Sequence, residues 1–428
     1  MQLNDLPYNK QLFLLGVKGR SDFIGTSDED SMNDNASIIS LASDGTFLEE
    51  GADEVDDQLQ NDVFEEKLVE AIDGLTQKSA QGRTSCLESV GASFTMKYIP
   101  EFVNNRKLTL TDGIERCLKK GRGLEQAAAA QLATLLCVQL GSGDMTDEVC
   151  RDLSPLLTFI VNDHSMSLPA RSKCCWALGL LYFLANTEDI VSAMQTLEHV
   201  FSASYHKGDG SVPSITQELA ALHFAAISSW SLLLTVIDLN SAINVASINQ
   251  LGQLLDSPHL DVRMAAGEGI ALLLEQARQS NDEWLWEVGD DLVDKLRQLS
   301  TDSHKYRAKK DRKTQRSSFR DILRYVEYDE PPNIQVRFGQ EALSLDSWSR
   351  KKQYDAFCQV LGSGMNLHLT ENELLREVLE LGEKLAPVNA ASNKQTKLAR
   401  HLLNAANFKA RSISRGKNRD KRSAVLAT

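Results

Sequence analysis

Pro169-Ala170-Arg171-Ser172-Lys173-Cys174-Cys175 opens an apolar helix, and two runs of the same kind stand at nearly equal distances from it. Gln81-Gly82-Arg83-Thr84-Ser85-Cys86-Leu87 lies upstream and Asp261-Val262-Arg263-Met264-Ala265-Ala266 downstream. Arg83 to Arg171 is 88 residues and Arg171 to Arg263 is 92, so each gap holds two units of 44 to 46. The midpoints are occupied as well: Glu125-Gln126-Ala127 and Gln217-Glu218-Leu219 both begin apolar helices. One more step of 44 from Arg263 reaches Tyr306-Arg307-Ala308. A period in the low to middle forties with paired helices is the signature of a HEAT or armadillo solenoid.

The physics of stacking agrees with that period. A helix pair exposes an apolar face that only its neighbours can cover, so such units occur in arrays. In Met264–Arg278, Ile270, Leu273, Leu274 and Ala277 fall on one helical stripe. Ala265, Ala266, Gly267 and Gly269 are small enough to let adjacent helices approach closely. Pro169 and Asp261 suit helix starts. The expected architecture is all-α: about six HEAT/armadillo-like units over residues 62–330, a small, mostly helical C-terminal region over 331–390, and disordered termini. Glu330-Pro331-Pro332 ends the last repeat helix. Ile334–Phe338 and Ala342–Leu345 suit a short hairpin around Gly339. Arg350–Leu361 and Glu371–Leu381 read as helices separated by Gly362-Ser363-Gly364, and Lys394–Arg411 as an amphipathic helix bearing Leu398, Leu402 and Ala405.

Composition is consistent with a helical protein. The 428 residues are 25% charged and 42% hydrophobic, but only 6% aromatic, with 9 prolines. That excludes a collagen, a wholly disordered chain and a disulfide scaffold. The seven cysteines form no C-x-x-C pair, which argues against a zinc site and fits a reducing compartment. The first twenty residues make a poor signal peptide, since Asp5 comes early and the apolar run Leu12–Val17 is short. Leu219–Ile237 carries no charge over 19 residues, but its His223, Ser228, Ser229, Ser231 and Thr235 favour a buried helix over a membrane span.

Motifs for chemistry are sparse. Gly121-Arg122-Gly123 and Gly141-Ser142-Gly143 follow helices, where glycine serves as a stop, and no Walker lysine comes after them. The eight histidines include no H-E-x-x-H, and no G-x-S-x-G elbow is present. His223, in an apolar stretch, reads as a satisfied core residue. The expectation is a non-enzymatic protein with no cofactor, no metal and no small-molecule substrate.

Charge is segregated, and this is the strongest functional signal. The net charge is −13, yet Ser21–Glu66 holds fifteen Asp/Glu and no Lys or Arg. This acidic arm spans residues 1–61 and is punctuated by serines, Ser27 among them in the sequence Ser-Asp-Glu-Asp. Lys305–Arg320 carries eight Lys/Arg against Asp311, and Lys394–Thr428 carries ten against Asp420. At 100° per residue, Lys305, Lys309, Arg312, Lys313, Arg316, Arg320 and Arg324 fall within a sector of about 120°. Phe319, Ile322 and Val326 lie on another side, suited to packing on the preceding repeat. A one-sided cationic stripe fits a phosphate backbone, because ammonium and guanidinium groups displace condensed counterions. A solvated face on a capping helix is the plainer alternative. The second basic element is the segment 391–428, where Phe408, Lys409, Arg411, Arg415, Lys417, Arg419, Lys421 and Arg422 combine an aromatic with arginines, as suits unpaired RNA bases. Gly416–Arg422 equally suits nuclear import.

Several long segments also resemble one family. Leu108-Thr109-Leu110-Thr111-Asp112-Gly113-Ile114-Glu115-Arg116-Cys117-Leu118-Lys119-Lys120-Gly121 resembles part of the interferon-related developmental regulators. So do Cys137–Gly141, Arg263–Glu268, Ala308–Arg324, Val360–Met365, Phe408–Arg411 and Arg419–Arg422, in order over roughly residues 60 to 424. The resemblance implies two roles. One is binding to translationally silent ribosomes, where a C-terminal region occupies space needed by mRNA or tRNA. The other is transcriptional co-regulation in differentiation, through nuclear co-repressor partners. The expected partners are therefore ribosomal RNA and co-repressor proteins, without a membrane, and the expected location is both cytoplasm and nucleus.

Overall fold

Ser79, Ser167 and Thr216 stand just before three of the helix-opening motifs, and each hydroxyl accepts a backbone N–H of the first turn: from Gly82 at 3.2 Å, Ala170 at 3.4 Å and Leu219 at 3.2 Å. Each such cap contributes about 1 kcal/mol. The molecule was studied as a computed structural model that describes residues 54–187, 189–237, 248–280, 289–301 and 308–384, with 54–60 and 280 as backbone only. The capped helices belong to six pairs: α1 (Glu54–Asp73) with α2 (Ala80–Met96), α4 (Lys107–Lys120) with α5 (Leu124–Leu140), α6 (Asp144–Asn162) with α7 (Leu168–Leu184), α8 (Ile190–Phe201) with α9 (Gln217–Leu234), α10 (Ile248–Leu254) with α11 (Leu260–Ser280), and α12 (Asp290–Thr301) with α13 (Lys309–Tyr328). A short α3 (Pro100–Asn104) joins the first two pairs.

The second helix of each pair packs on the next, giving a continuous inner row α2, α5, α7, α9, α11 and α13. Side chains lock the register from one repeat to its neighbour. Arg83 meets Glu125 at 2.6 and 3.0 Å, Gln139 Nε2 donates to the carbonyls of Phe94 and Lys97, and His206 N donates to Gln253 Oε1. These partners are 42 to 47 residues apart, which is the repeat length itself. Small residues set the spacing. A Cβ on Gly267 would come 2.9 Å from both Phe319 and Ile322 across the α11–α13 contact. Ile270, Leu273, Leu274 and Ala277 are all buried, as the stripe requires.

The uncharged stretch from Leu219 forms most of α9, with Trp230 and Leu233 fully buried. Among the described residues no helix is long and apolar enough to cross a membrane. Inside α9, His223 accepts or donates a 2.5 Å hydrogen bond with Ser204 Oγ, and burial pulls its pKa down to about 4. Helix α1 begins at Glu54, inside the stretch whose charge marks it as the acidic arm; acidic residues favour a helix N-terminus.

After α13 the chain makes a hairpin, β1 (Ile334–Phe338) and β2 (Glu341–Leu345), with Ile334 opposite Leu345 and Phe338 opposite Glu341. Gly339 supplies the positive φ of the turn, 52°. Then α14 (Trp348–Leu361), a 3₁₀ turn (Gly362–Gly364), α15 (Met365–Glu371) and α16 (Glu373–Val378) lie across the inner row. The backbone N–H groups of Trp348 and Ser349 cap on Glu275 of α11, each at 2.7 Å. Gln353 reaches Thr235 at the end of α9, and Gln131 of α5 donates to Val360 O. His368 Nε2 meets Phe94 O of α2 at 3.0 Å, and Asn372 donates to Val138 O of α5 at 3.0 Å. Trp348 to Gly364 covers about 24 Å of helix axis. Four inter-helix steps from α11 to α2 cover about 32–40 Å. The shorter chord means that the inner row curves around α14, so this face is concave and the chain fills part of it with itself.

The described chain through Gly382 forms one compact unit, and residues from Glu383 belong to a second. Residues 1–53, Lys305 and the basic segment 391–428 lie outside the described residues.

Candidate nucleic-acid interface

Helix α13 is rotated into place by its core face. Phe319, Ile322 and Tyr325 are buried against α11 and the hairpin side, with Val326 half-buried beside them. Gln315 is also buried; its Oε1 accepts from Arg263 Nη2 at 2.6 Å and its Nε2 donates to Leu299 O at 3.3 Å. Arg263, which marks the repeat in the sequence, thus fixes the rotation of the next repeat's helix. With that face pinned, Lys309, Lys310, Lys313, Arg320 and Arg324 point to water, while Arg312 and Arg316 are half-buried. Arg316 Nε donates to Arg312 O at 3.3 Å, holding that guanidinium along the helix.

Two ion pairs among the described residues leave from the other side of α13 and from its end. Glu327 meets Arg297 at 2.5 Å, and the C-cap Asp329, at φ 57°, meets Arg278 at 2.7 Å. The acid beside the stripe is Asp321, at the surface, whose carboxyl is pushed up by partial desolvation despite the opposing pull of Arg324, Lys351 and Arg320. Lys309 to Arg324 spans about 22 Å along the axis. Of the fifteen residues that the sequence assigns to RNA contacts, the structure brings Lys309, Lys313, Arg320 and Arg324 onto one solvent-facing strip, with the half-buried Arg312 and Arg316 along it. Lys305, Phe408, Lys409, Arg411, Arg415, Lys417, Arg419, Lys421 and Arg422 lie outside the described residues.

Two further polar sites escaped the sequence reading. The first clamps α14. Lys351 Nζ lies 2.9 Å from Glu268 Oε1 and 2.8 Å from Asp355, and Lys352 lies 3.6 Å from Glu268 Oε2. Burial disfavours the Glu268 anion, but the two lysines outweigh it and hold the carboxyl at about 2. No local pattern announces this cluster, because its members are 83 residues apart. The second is Lys173. Its ammonium meets the amide oxygen of Gln131 at 2.8 Å, and burial lowers its pKa. A signal for it was present: two residues after the motif arginine, the other repeats hold Ser85 and Ala265, and this one holds a lysine.

Lys173 lines a cleft of about 760 Å³ on the inner face, bounded by α2, α5, α7, the start of α9 and residues 359–363. Its walls are mostly apolar or small: Leu124, Ala127, Ala128, Leu168, Trp176 and Phe224 among them. Six of the seven cysteines are buried elsewhere in the core, where burial pushes thiols such as Cys175 up to about 12. Thiols so protonated are poor nucleophiles and ligands. Among the described residues no cluster of His, Cys, Asp or Glu is grouped to hold a metal ion.

These features define an α-helical repeat protein of the HEAT/armadillo kind, with a cationic helix at the end of its ladder and its own C-terminal helices seated on the inner face. The chain belongs to the interferon-related developmental regulator family: that family's pattern matches residues 35–327, and the interferon-related protein conserved region matches residues 372–423. It is 44% identical over 383 residues to interferon-related developmental regulator 2 of Mus musculus, covering 88% of this chain and 87% of the relative. It is 42% identical over 408 residues to interferon-related developmental regulator 1 of Sus scrofa and 41% identical over 408 residues to that of Homo sapiens, each covering 93% of this chain and 90% of the relative.

Proposed function

We propose that this protein is a non-enzymatic regulator that binds ribosomal RNA through helix α13 and the basic segment 391–428, and that it represses translation by occupying the ribosome. The observation that carries the reading is the strip Lys309, Lys313, Arg320 and Arg324, solvent-facing with the half-buried Arg316 between them on a helix whose opposite face is buried, in a chain of net charge −13. Maintaining such a strip costs self-repulsion that a buried face does not need. A polyanion relieves it by releasing counterions.

Co-sedimentation with purified ribosomes at low and physiological salt tests this. The wild-type chain binds, and binding falls by orders of magnitude as salt rises. Lys313→Glu, Arg320→Glu and Arg324→Glu together weaken it strongly, as does ending the chain at Pro387. Unchanged binding of the triple variant overturns the reading.

A second reading, a nuclear scaffold for transcriptional co-repressors, draws on the open part of the concave face. It predicts that loss of the basic segment changes location but not partner affinity.

A further inference from the structure

The cationic strip of α13 ends beside an aromatic. Tyr328 is the last residue of the helix and is 69% exposed. It stands one turn beyond Arg324, about 6 Å along the axis and about 40° around it, so ring and guanidinium share one edge of the helix. A single exposed ring is ordinary on a protein surface; this one is set apart by its surroundings. Among the described residues the other exposed aromatic is Phe159, on α6, three repeats from α13. The second tyrosine of α13 is used for packing. Tyr325 is buried, its ring centre 6.1 Å from that of Trp348 and 4.7 Å from the Arg278 guanidinium. Among the described residues Tyr328 makes no ring contact and no hydrogen bond.

The end of the helix that carries this ring is fixed. Arg278 of α11 donates to the carbonyls of Tyr325 at 3.0 Å and Val326 at 3.3 Å, and it pairs with the C-cap Asp329 at 2.7 Å. Glu327 pairs with Arg297 of α12 at 2.5 Å. These contacts hold carbonyls of the last turn that a helix end otherwise leaves open, so the ring stands on a pinned mount. The local charge also changes here. The cations stop at Arg324, and Glu327, Asp329 and Glu330 follow. A phosphate is drawn to Arg320 and Arg324 and gains nothing beyond them. A base is uncharged, and its face can stack on a tyrosine ring. A nucleotide with its phosphate at Arg324 can thus bring its base to Tyr328, provided that the base is not already stacked inside a duplex.

We infer that Tyr328 is a stacking platform for an unpaired RNA base whose phosphate sits on Arg324. The ligand class narrows from any polyanion to RNA that carries an unpaired nucleotide, at a bulge, a loop or an end. This inference rests on the reading of α13 as an RNA-binding helix and adds a division of labour to it. The cations supply affinity for the backbone, and the ring decides which nucleotides the strip prefers.

The test measures binding of the full chain to a fully paired RNA duplex and to the same duplex with one bulged adenosine, over a range of salt. The wild-type chain should prefer the bulged duplex. Tyr328→Ala should weaken that complex about tenfold, within the range of one stacked base, and leave the paired duplex unaffected. Stacking releases no counterions, so the salt slope of this variant should match that of the wild type. Arg324→Glu should instead weaken both complexes and make the slope shallower. Tyr328→Phe keeps the ring and should bind as the wild type does, as should Phe159→Ala, which removes the exposed ring far from the strip. Thermal melting should be the same for all these ring variants, which separates a lost contact from a lost fold. Tyr328→Ala binding the bulged duplex as tightly as the wild type overturns the inference. An equal loss on both RNAs overturns it too, as does a Tyr328→Phe variant as weak as Tyr328→Ala. If Arg324→Glu weakens binding and Tyr328→Ala does not, the inference fails alone. If the wild-type chain binds neither RNA, it fails together with the RNA-binding reading of α13.

Discussion

Glu268 illustrates how one side chain can hold two elements together. It lies on α11 and receives Lys351 and Lys352 from α14 in a largely buried site. Removing one member of such a cluster leaves the others desolvated and uncompensated, so Glu268→Ala is expected to cost about 2–4 kcal/mol in chemical denaturation. Because the folded carboxyl titrates at about 2, below its ordinary value of 4.5, its contribution is complete above about pH 4.5 and is lost as the pH falls toward 2. Glu268→Gln should flatten that part of the stability curve. His223 and His368 act in a higher window. Burial depresses both to about 4 from 6.5; in His368 the hydrogen bonds to the backbone of Phe94 and Thr95 oppose burial without overcoming it. The unfolded chain therefore binds more protons between pH 6.5 and 4, and stability falls as the pH drops through that range. His223→Asn with His368→Asn should lessen the slope of the unfolding midpoint there, whatever their cost at pH 7.

At the scale of elements, the seat of the C-terminal helices rests on close backbone approach. A methyl on Gly364 would be driven into the carbonyl oxygen of Thr95 in α2, and backbone cannot yield as a side-chain tip can. Gly364→Ala should destabilise by about 2–3 kcal/mol and loosen α14–α16, read as faster limited proteolysis around the hairpin. Gly339→Ala, at φ 52° with open space around its Cβ, should cost only about 1 kcal/mol. Contrasting effects would separate lost docking from hairpin strain; equal effects would argue against the α2 contact as the main restraint. Helix α13 behaves differently. Its rotation is fixed by Gln315, Phe319 and Ile322, so its exposed lysines and arginines are free to change without touching the core.

Over the whole molecule, charge and shape are separable. Lys313→Glu, Arg320→Glu and Arg324→Glu alter only exposed positions, so the melting temperature should stay within what about 1 kcal/mol allows. If those residues neutralise phosphates, the slope of log affinity for ribosomes against log salt should become shallower by about 2–3. A normal slope with normal stability would remove α13 from the interface. The six-repeat ladder predicts a further collective property: neighbouring repeats share their hydrogen bonds, so Arg83→Ala should weaken the first repeats, where Glu125 loses its partner, without reaching α11–α13. Hydrogen exchange resolved by segment would show this as protection lost in α2 and α5 only.

The sequence by itself determined the repeat and its length, because the locking contacts join side chains one repeat apart and so recur as residue types at that period. Arg83 could be read as a mark for this reason, while Arg171 and Arg263 recur at the same place because each donates to a carbonyl of the turn before its own helix, Val161 O and Ser257 O; Gly339 could be read as a turn. The two-faced character of α13 was equally legible, since helical geometry alone assigns Phe319 and Arg320 to different sides. What only the tertiary structure decided has the opposite range. Trp348 caps on Glu275, 73 residues away, Asn372 bonds Val138 across 234 and His368 bonds Phe94 across 274. Contacts of that separation leave no periodic trace. The occupation of the concave face by α14, the Glu268 clamp, and the cleft that Lys173 lines exist only because a curved row of helices brings distant segments together.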